Sequence, residues 1–145
     1  MVVYQSSVLV PTVGPSLVDV TIAIQNIVAL AGVQHGICTV FIRHTSASLF
    51  IQENTDPAVR IDFEHWLRWL APEKPTFGTW THTDEGPDDM PAHIRSAITR
   101  TSETIPILDG QLGLGLWQAV YVCEHRVGSH SRELLITVLG VGRRN

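Results

Sequence analysis

The stretch LWQAVYVCE, residues 116–124, decides the fold. Read as a strand, it places Trp117, Ala119, Tyr121 and Cys123 on one face and Gln118, Val120, Val122 and Glu124 on the other. Both faces are mostly apolar, so each needs cover, and in a chain this small one of them calls for a helix or a second subunit. The stretch therefore predicts a buried strand and an oligomer. Outward from it, Leu116–His125 and Glu133–Gly140 read as two strands joined by a turn over Val127–Ser131, with a further strand over Glu103–Leu108.

Toward the N-terminus the pattern alternates between strands and helices. Residues 2–10 alternate as a strand and Ser16–Asp19 as a short second one. Ile24, Ile27, Val28 and Ala31 recur at helical spacing, with Gly32 as a stop, which predicts a helix from Thr21 to Ala31. Ile37–Arg43 and Ala47–Gln52 follow as strands. Pro57 opens a second helix with Val59, Phe63, Trp66, Leu67 and Leu70 on one face, and Pro72 ends it. A third helix is expected over Pro91–Ile98, and GQLGLG at 110–115 reads as a tight turn rather than a phosphate loop. Strands gathered at the two ends with helices between them predict an α+β fold with an antiparallel β-sandwich and two or three helices.

Composition narrows the function classes. The 145 residues suffice for one domain, 1–145, with its own core. Ten Lys and Arg face 14 Asp and Glu, and Arg143-Arg144 is the one basic run, so a nucleic-acid surface is disfavoured. No apolar stretch approaches the ~20 residues that span a bilayer, which argues against a membrane protein. The N-terminus lacks a signal-peptide pattern, so a cytoplasmic location is expected. Cys38 and Cys123 each sit in an apolar strand and are expected as buried thiols.

Polar groups crowd into RHTSASLFIQENTDP, residues 43–57. Asp56 before Pro57 has the signature of a helix N-cap, whereas His44 and Glu53 read as functional or as scaffold with equal weight. Of the seven histidines, His44, His82 and His93 fall on three separate elements and could converge on a metal ion, although their spacing matches no regular zinc motif. Asp84, Glu85, Asp88 and Asp89 read as a solvated acidic turn, with Asp88 or Asp89 near the start of the third helix. Glu124 shares a face with Val120 and Val122, so it must meet a cation or serve a site. Arg132, across the expected hairpin, supplies that cation, either as an ordinary cross-strand pair or as part of a site.

The segments HTSASLFIQENTDPAVRIDFE (44–64), DEGPDDMPAHIRSAI (84–98) and IPILDGQLGLGLWQAVYVCEHR (105–126), with Arg132 downstream, resemble the YjbQ-like family, known for a secondary thiamine-phosphate-synthase activity. The resemblance implies a two-layer sandwich of about seven strands assembled as a homotrimer. It places His44, Thr45, Ser46, Glu53, Asn54, Asp62, His82, His93, Gln118, Glu124 and Arg132 at signature positions. The reaction it implies joins hydroxymethylpyrimidine pyrophosphate to a thiazole phosphate. Glu53, Asp62 and Glu124 are then the catalytic candidates, and Thr45, Ser46, Asn54, Gln118 and Arg132 the ligands of a small phosphorylated metabolite. His44, His82 and His93 are the candidate ligands of a divalent ion, zinc or magnesium, since a departing pyrophosphate needs its charge neutralised. Two other readings stand beside it: a metal-dependent hydrolase or lyase of a phosphorylated metabolite, and a non-catalytic trimer that binds a small anion.

Overall fold

In a computed structural model, which describes residues 1–142, the two ends of the chain run beside each other as one long ribbon. β1 (Val2–Asp19) pairs antiparallel with the last strand, β6 (Gln118–Gly142), from Val2↔Gly140 to Asp19↔Tyr121. Between them come α1 (Thr21–Ala31), β2 (Val33–Ile42), β3 (Ala47–Glu53), α2 (Pro57–Leu70), α3 (Asp89–Ile98), β4 (Ser102–Leu108) and β5 (Gln111–Leu112). The 6-stranded sheet has the order β1-β6-β2-β4-β5. β2 pairs with the C-terminal part of β6, from Ile42↔Leu134 to Val33↔Gly142, and β3 with its N-terminal part, from Ala47↔Glu124 to Glu53↔Gln118. The fold is mixed α+β, on one curled antiparallel sheet. This corrects the seven-strand, two-layer sandwich. The chain stays paired through Pro11–Gly14 and through Gly128–Ser131, so the two expected strand pairs at the ends are single strands. The Arg143-Arg144 pair lies outside the described residues.

The ribbon bends where its register slips. Gly14 pairs with Gly128 and Ser16 with Glu124, so two steps along β1 face four along β6. Such a bulge bends and twists its strand. Gly128 supports the bend with φ 81°, a conformation that costs glycine little. The two strands also close tightly on Gly14, where an added Cβ would lie 2.4 Å from Cγ of Glu124. Any larger residue there would drive the Glu124 side chain out of place.

The core fills the concave side of the sheet. Ile24 and Val28 of α1 meet Val40, Ile42, Leu49, Ile105, Val120, Val122, Leu134, Ile136 and Val138, all buried. Residues 119–124, read as needing a second subunit, are buried on both faces within one chain, which corrects that argument. α2 begins as expected: the Asp56 carboxylate accepts the Ala58 N–H at 2.9 Å. Its far end is held by Arg95 of α3, which donates to the carbonyls of Leu67 and Ala71. A buried guanidinium at a helix C-terminus meets the negative end of the helix dipole, which offsets the absence of a carboxylate partner among the described residues. The apolar face of α2 is covered only in part, since Leu67 is buried while Trp66 is 50% exposed. Among the described residues no helix is long and apolar enough to cross a membrane. Cys38 and Cys123 are buried free thiols, and burial pushes Cys38 up to about 11.

Candidate functional site

Two polar clusters meet where β3 begins. The first is built on Glu124 and Arg132. In a straight strand two residues eight apart would be about 26 Å distant, yet Arg132 Nε donates to Glu124 Oε1 at 2.7 Å and Nη2 donates to Oε2. The bend in β6 makes the contact, not the hairpin expected from the sequence. Thr12 of β1 and the Arg126 N–H also donate to the Glu124 carboxylate, so both oxygens are saturated. Burial by itself would raise the Glu124 carboxyl. The hydrogen bonds from Arg132, Thr12 and the Arg126 N–H outweigh it and hold the group below its usual range. Arg132 Nη2 reaches Ser46 as well, at 3.1 Å from its hydroxyl.

His44 stands beside this pair. Its Nε2 accepts the Glu133 main-chain N–H at 2.7 Å, and its Nδ1 lies 3.4 Å from Arg132 Nη1. Burial first, and then the positive charge of Arg132, lower its pKa, so the ring is neutral near pH 7. His44, Thr45, Ser46 and Arg132 line an open cavity of about 490 Å³ with Arg43 and Thr101 at its edge.

The second cluster is built on Asp89, at the first turn of α3. Its Oδ2 lies 2.6 Å from His82 Nε2 and 3.1 Å from His93 Nε2, and its Oδ1 lies 2.9 Å from Arg126 Nη1. Donor atoms of His82, Asp89 and His93 all fall within 4.8 Å of one another. The Asp89 side chain is only 2% exposed, and burial alone would raise its pKa. The hydrogen bond from His82 and the charges of His93 and Arg126 reverse that and lower it. Arg126 also binds Asp88, whose Oδ2 accepts the Val127 N–H too. The acidic stretch read as a solvated turn is thus partly an internal anchor, and Asp89 and Arg126 were not among the candidate site residues. His93 Nδ1 lies 2.8 Å from the Thr45 carbonyl, so Thr45 touches both clusters.

The remaining candidates are dispersed. Glu53 accepts the N–H groups of Thr55 and Asp56 and shapes the entry to α2. Asn54 Oδ1 accepts the Thr55 hydroxyl, and Gln118 Oε1 accepts the Gly115 N–H. Asp62 lies on α2 beside Val59, Phe63 and Trp66, in a shallow surface depression. Of the three expected metal ligands, His82 and His93 come together. His44 is not in their group; its Nε2 lone pair is taken by Glu133 and Asp89 stands with the other two.

A family model described as UPF0047 protein YjbQ-like matches residues 6–141. A UPF0047 protein of Synechocystis sp. is 50% identical over 137 residues, 94% of this chain and 92% of its own. UPF0047 protein YjbQ of Escherichia coli O157:H7 is 39% identical over 105 residues, 72% of this chain and 74% of its own. A solved structure from Clostridium acetobutylicum, described as an uncharacterized conserved protein of the yjbq/upf0047 family, has a TM-score of 0.83 at 29% identity, over 92% of this chain and 99% of its own. A Sulfolobus solfataricus structure described as a YbjQ-like protein of unknown function shares the fold, with a TM-score of 0.86 at 24% identity over 96% of this chain and 98% of its own.

These matches correct the expected thiamine-phosphate-synthase-like transferase. Relatives at 50% and 39% identity are described by the UPF0047 family alone, and a solved relative is described as of unknown function. Nothing in them supports the joining of a pyrimidine pyrophosphate to a thiazole phosphate.

Proposed function

The chain belongs to the UPF0047 protein YjbQ-like family, and we propose from its own geometry that it binds a divalent transition-metal ion on His82, Asp89 and His93. The observation that carries this reading is the orientation of His93. A carbonyl can only accept, so the Thr45 contact at 2.8 Å puts the ring proton on Nδ1. In the neutral form of the ring the Nε2 lone pair then faces an oxygen of Asp89 at 3.1 Å, acceptor against acceptor, whereas the protonated ring donates to it. A proton on Nε2 removes the conflict, and so does a metal ion held between the two acceptors, which His82 can bind at the same time. Histidine ligands are commonly oriented this way, with the distal ring nitrogen donating to a carbonyl. Two imidazoles and one carboxylate suit zinc or a similar transition ion better than magnesium, which favours oxygen ligands, and three protein ligands leave positions for water or substrate. The neighbouring cavity, reached through Thr45, is the place for a small phosphorylated metabolite.

Chelator-stripped protein reloaded with zinc is expected to hold one ion per chain by elemental analysis. His93→Ala should weaken zinc binding by about 100-fold, a loss at least as large as that caused by outer-shell changes, whereas His44→Ala should bind zinc as the wild type does. Equal affinity in His93→Ala and the wild type would remove the metal role.

We also propose that the chain assembles as a homotrimer. The outer face of the sheet supports this: Val3, Leu139 and Ile37 align in one row across β1, β6 and β2, and Leu135 and Phe41 in another, all partly exposed. A face of this kind is best covered by further copies of the chain. Light scattering should report three times 16.0 kDa; a monodisperse monomer would rule the assembly out.

A further inference from the structure

We propose that His44 Nδ1–H and Arg132 Nη1–H form a two-donor site for one oxygen of a phosphate or carboxylate group in the cavity they line. A neutral imidazole has one lone pair to offer and one N–H. Two donors nevertheless face this ring, the Glu133 main-chain N–H at 2.7 Å from Nε2 and Arg132 Nη1 at 3.4 Å from Nδ1. The Glu133 N–H is fixed by the strand, and at 2.7 Å it must point into a lone pair. Nε2 is therefore the acceptor, and Nδ1 carries the proton. That proton is turned toward Arg132 Nη1, so two donors stand side by side with no acceptor between them.

Arg132 has no other use for Nη1. Its Nε and Nη2 are taken by Glu124, and Nη2 also by Ser46, while the only contact of Nη1 among the described residues is the one to His44. The residue is 6% exposed, and the cavity is where its remaining N–H groups can find a partner. An anionic oxygen there accepts from both donors, giving two charge-assisted hydrogen bonds, one of them from a cationic donor. Because Glu124 already offsets the Arg132 charge, the pair recognises the directed lone pairs of an oxygen rather than charge alone. The site specifies the ligand end of the function proposed above and rests on its reading of a small anionic ligand, but not on occupancy of the metal centre.

The test uses the full chain after chelator treatment, so that a failure here is separate from a failure of the metal reading. Side-chain ¹⁵N NMR at pH 7 reports the tautomer of His44, and inorganic phosphate and acetate are titrated separately. The expected result is the Nδ1–H tautomer and a saturable shift of the His44 ring with phosphate, acetate or both; the tighter of the two identifies the ligand group. His44→Ala, which leaves the Arg132 pair with Glu124 in place, should weaken that binding about tenfold or more, as expected for one lost hydrogen bond to a charged group. An Nε2–H tautomer, no saturable shift with either anion (water alone filling the site), or unchanged affinity in a folded His44→Ala would each overturn the proposal. If His44→Ala does not fold, the tautomer and the ring shifts of the wild type decide.

Discussion

Glu124→Ala is expected to destabilise the fold by about 3–5 kcal/mol, the range for removing one partner of a buried ion pair. The substitution leaves the Arg132 guanidinium buried beside Ser46 and His44 with no anion, and it strips the Glu124 acceptor from the Thr12 hydroxyl and the Arg126 N–H. These groups join the two halves of the bent ribbon, so the loss falls on the bend itself. Thermal unfolding should show a drop of roughly 6–20 °C, given about 2–4 °C per kcal/mol in a domain of this size. The pH dependence has a definite sign. The folded-state pKa of Glu124 is lowered, so its contribution is complete above the unfolded-state value of about 4.3 and is lost as pH falls through the folded-state value. The stability gap between wild type and variant should therefore be flat at neutral pH and close only in acid. A folded variant within about 1 kcal/mol of wild type at pH 7 would show that the pair does not hold the ribbon.

Why the bend was invisible in the sequence follows from where its cause lies. Val127–Ser131 contains Gly128 and two serines, a composition that reads locally as a turn. The strand continues because Thr12, Val13 and Gly14, more than a hundred residues away, remain paired with it. α1 was legible because its signals are local: Ile24, Ile27 and Val28 repeat at helical spacing, and Gly32 takes φ 67° at the end. Glu124 was legible for a similar reason, as a carboxylate on an apolar face, and so was its cation. Thr12 was not, since nothing near it in the sequence marks its approach to Glu124. Asp89 was hidden by its acidic neighbours, and only Arg126, arriving from β6, shows why it is buried. The three histidines were picked because they sit on separate elements, but placement does not tell which way a ring nitrogen points. For His44 that is decided by the Glu133 N–H, and for His93 by the Thr45 carbonyl.

Asp89→Asn is expected to remove about two-thirds of the stabilisation of this protein by a thousandfold excess of zinc over Kd. Asparagine keeps the size of the side chain, but it replaces the anionic oxygen shared by His82 and His93 with a neutral amide, and it weakens the hold on Arg126. An ion that binds only the folded state stabilises it by RT ln(1 + [L]/Kd), about 4 kcal/mol when zinc is a thousandfold above Kd. A loss of affinity of about 100-fold removes some 2.7 kcal/mol of that, because each factor of ten is worth about 1.4 kcal/mol. Without zinc the variant loses only local hydrogen bonds, and Arg126 retains Asp88, so the cost should be nearer 1–3 kcal/mol. The two effects separate in one experiment, in which melting temperature is followed against free zinc for both proteins. The wild type should rise steadily with the logarithm of zinc concentration, and Asp89→Asn should start lower and begin to rise only at about 100-fold higher zinc. Parallel curves would mean that zinc binds elsewhere, and would leave the cluster of His82, Asp89 and His93 as a hydrogen-bonded anchor for α3.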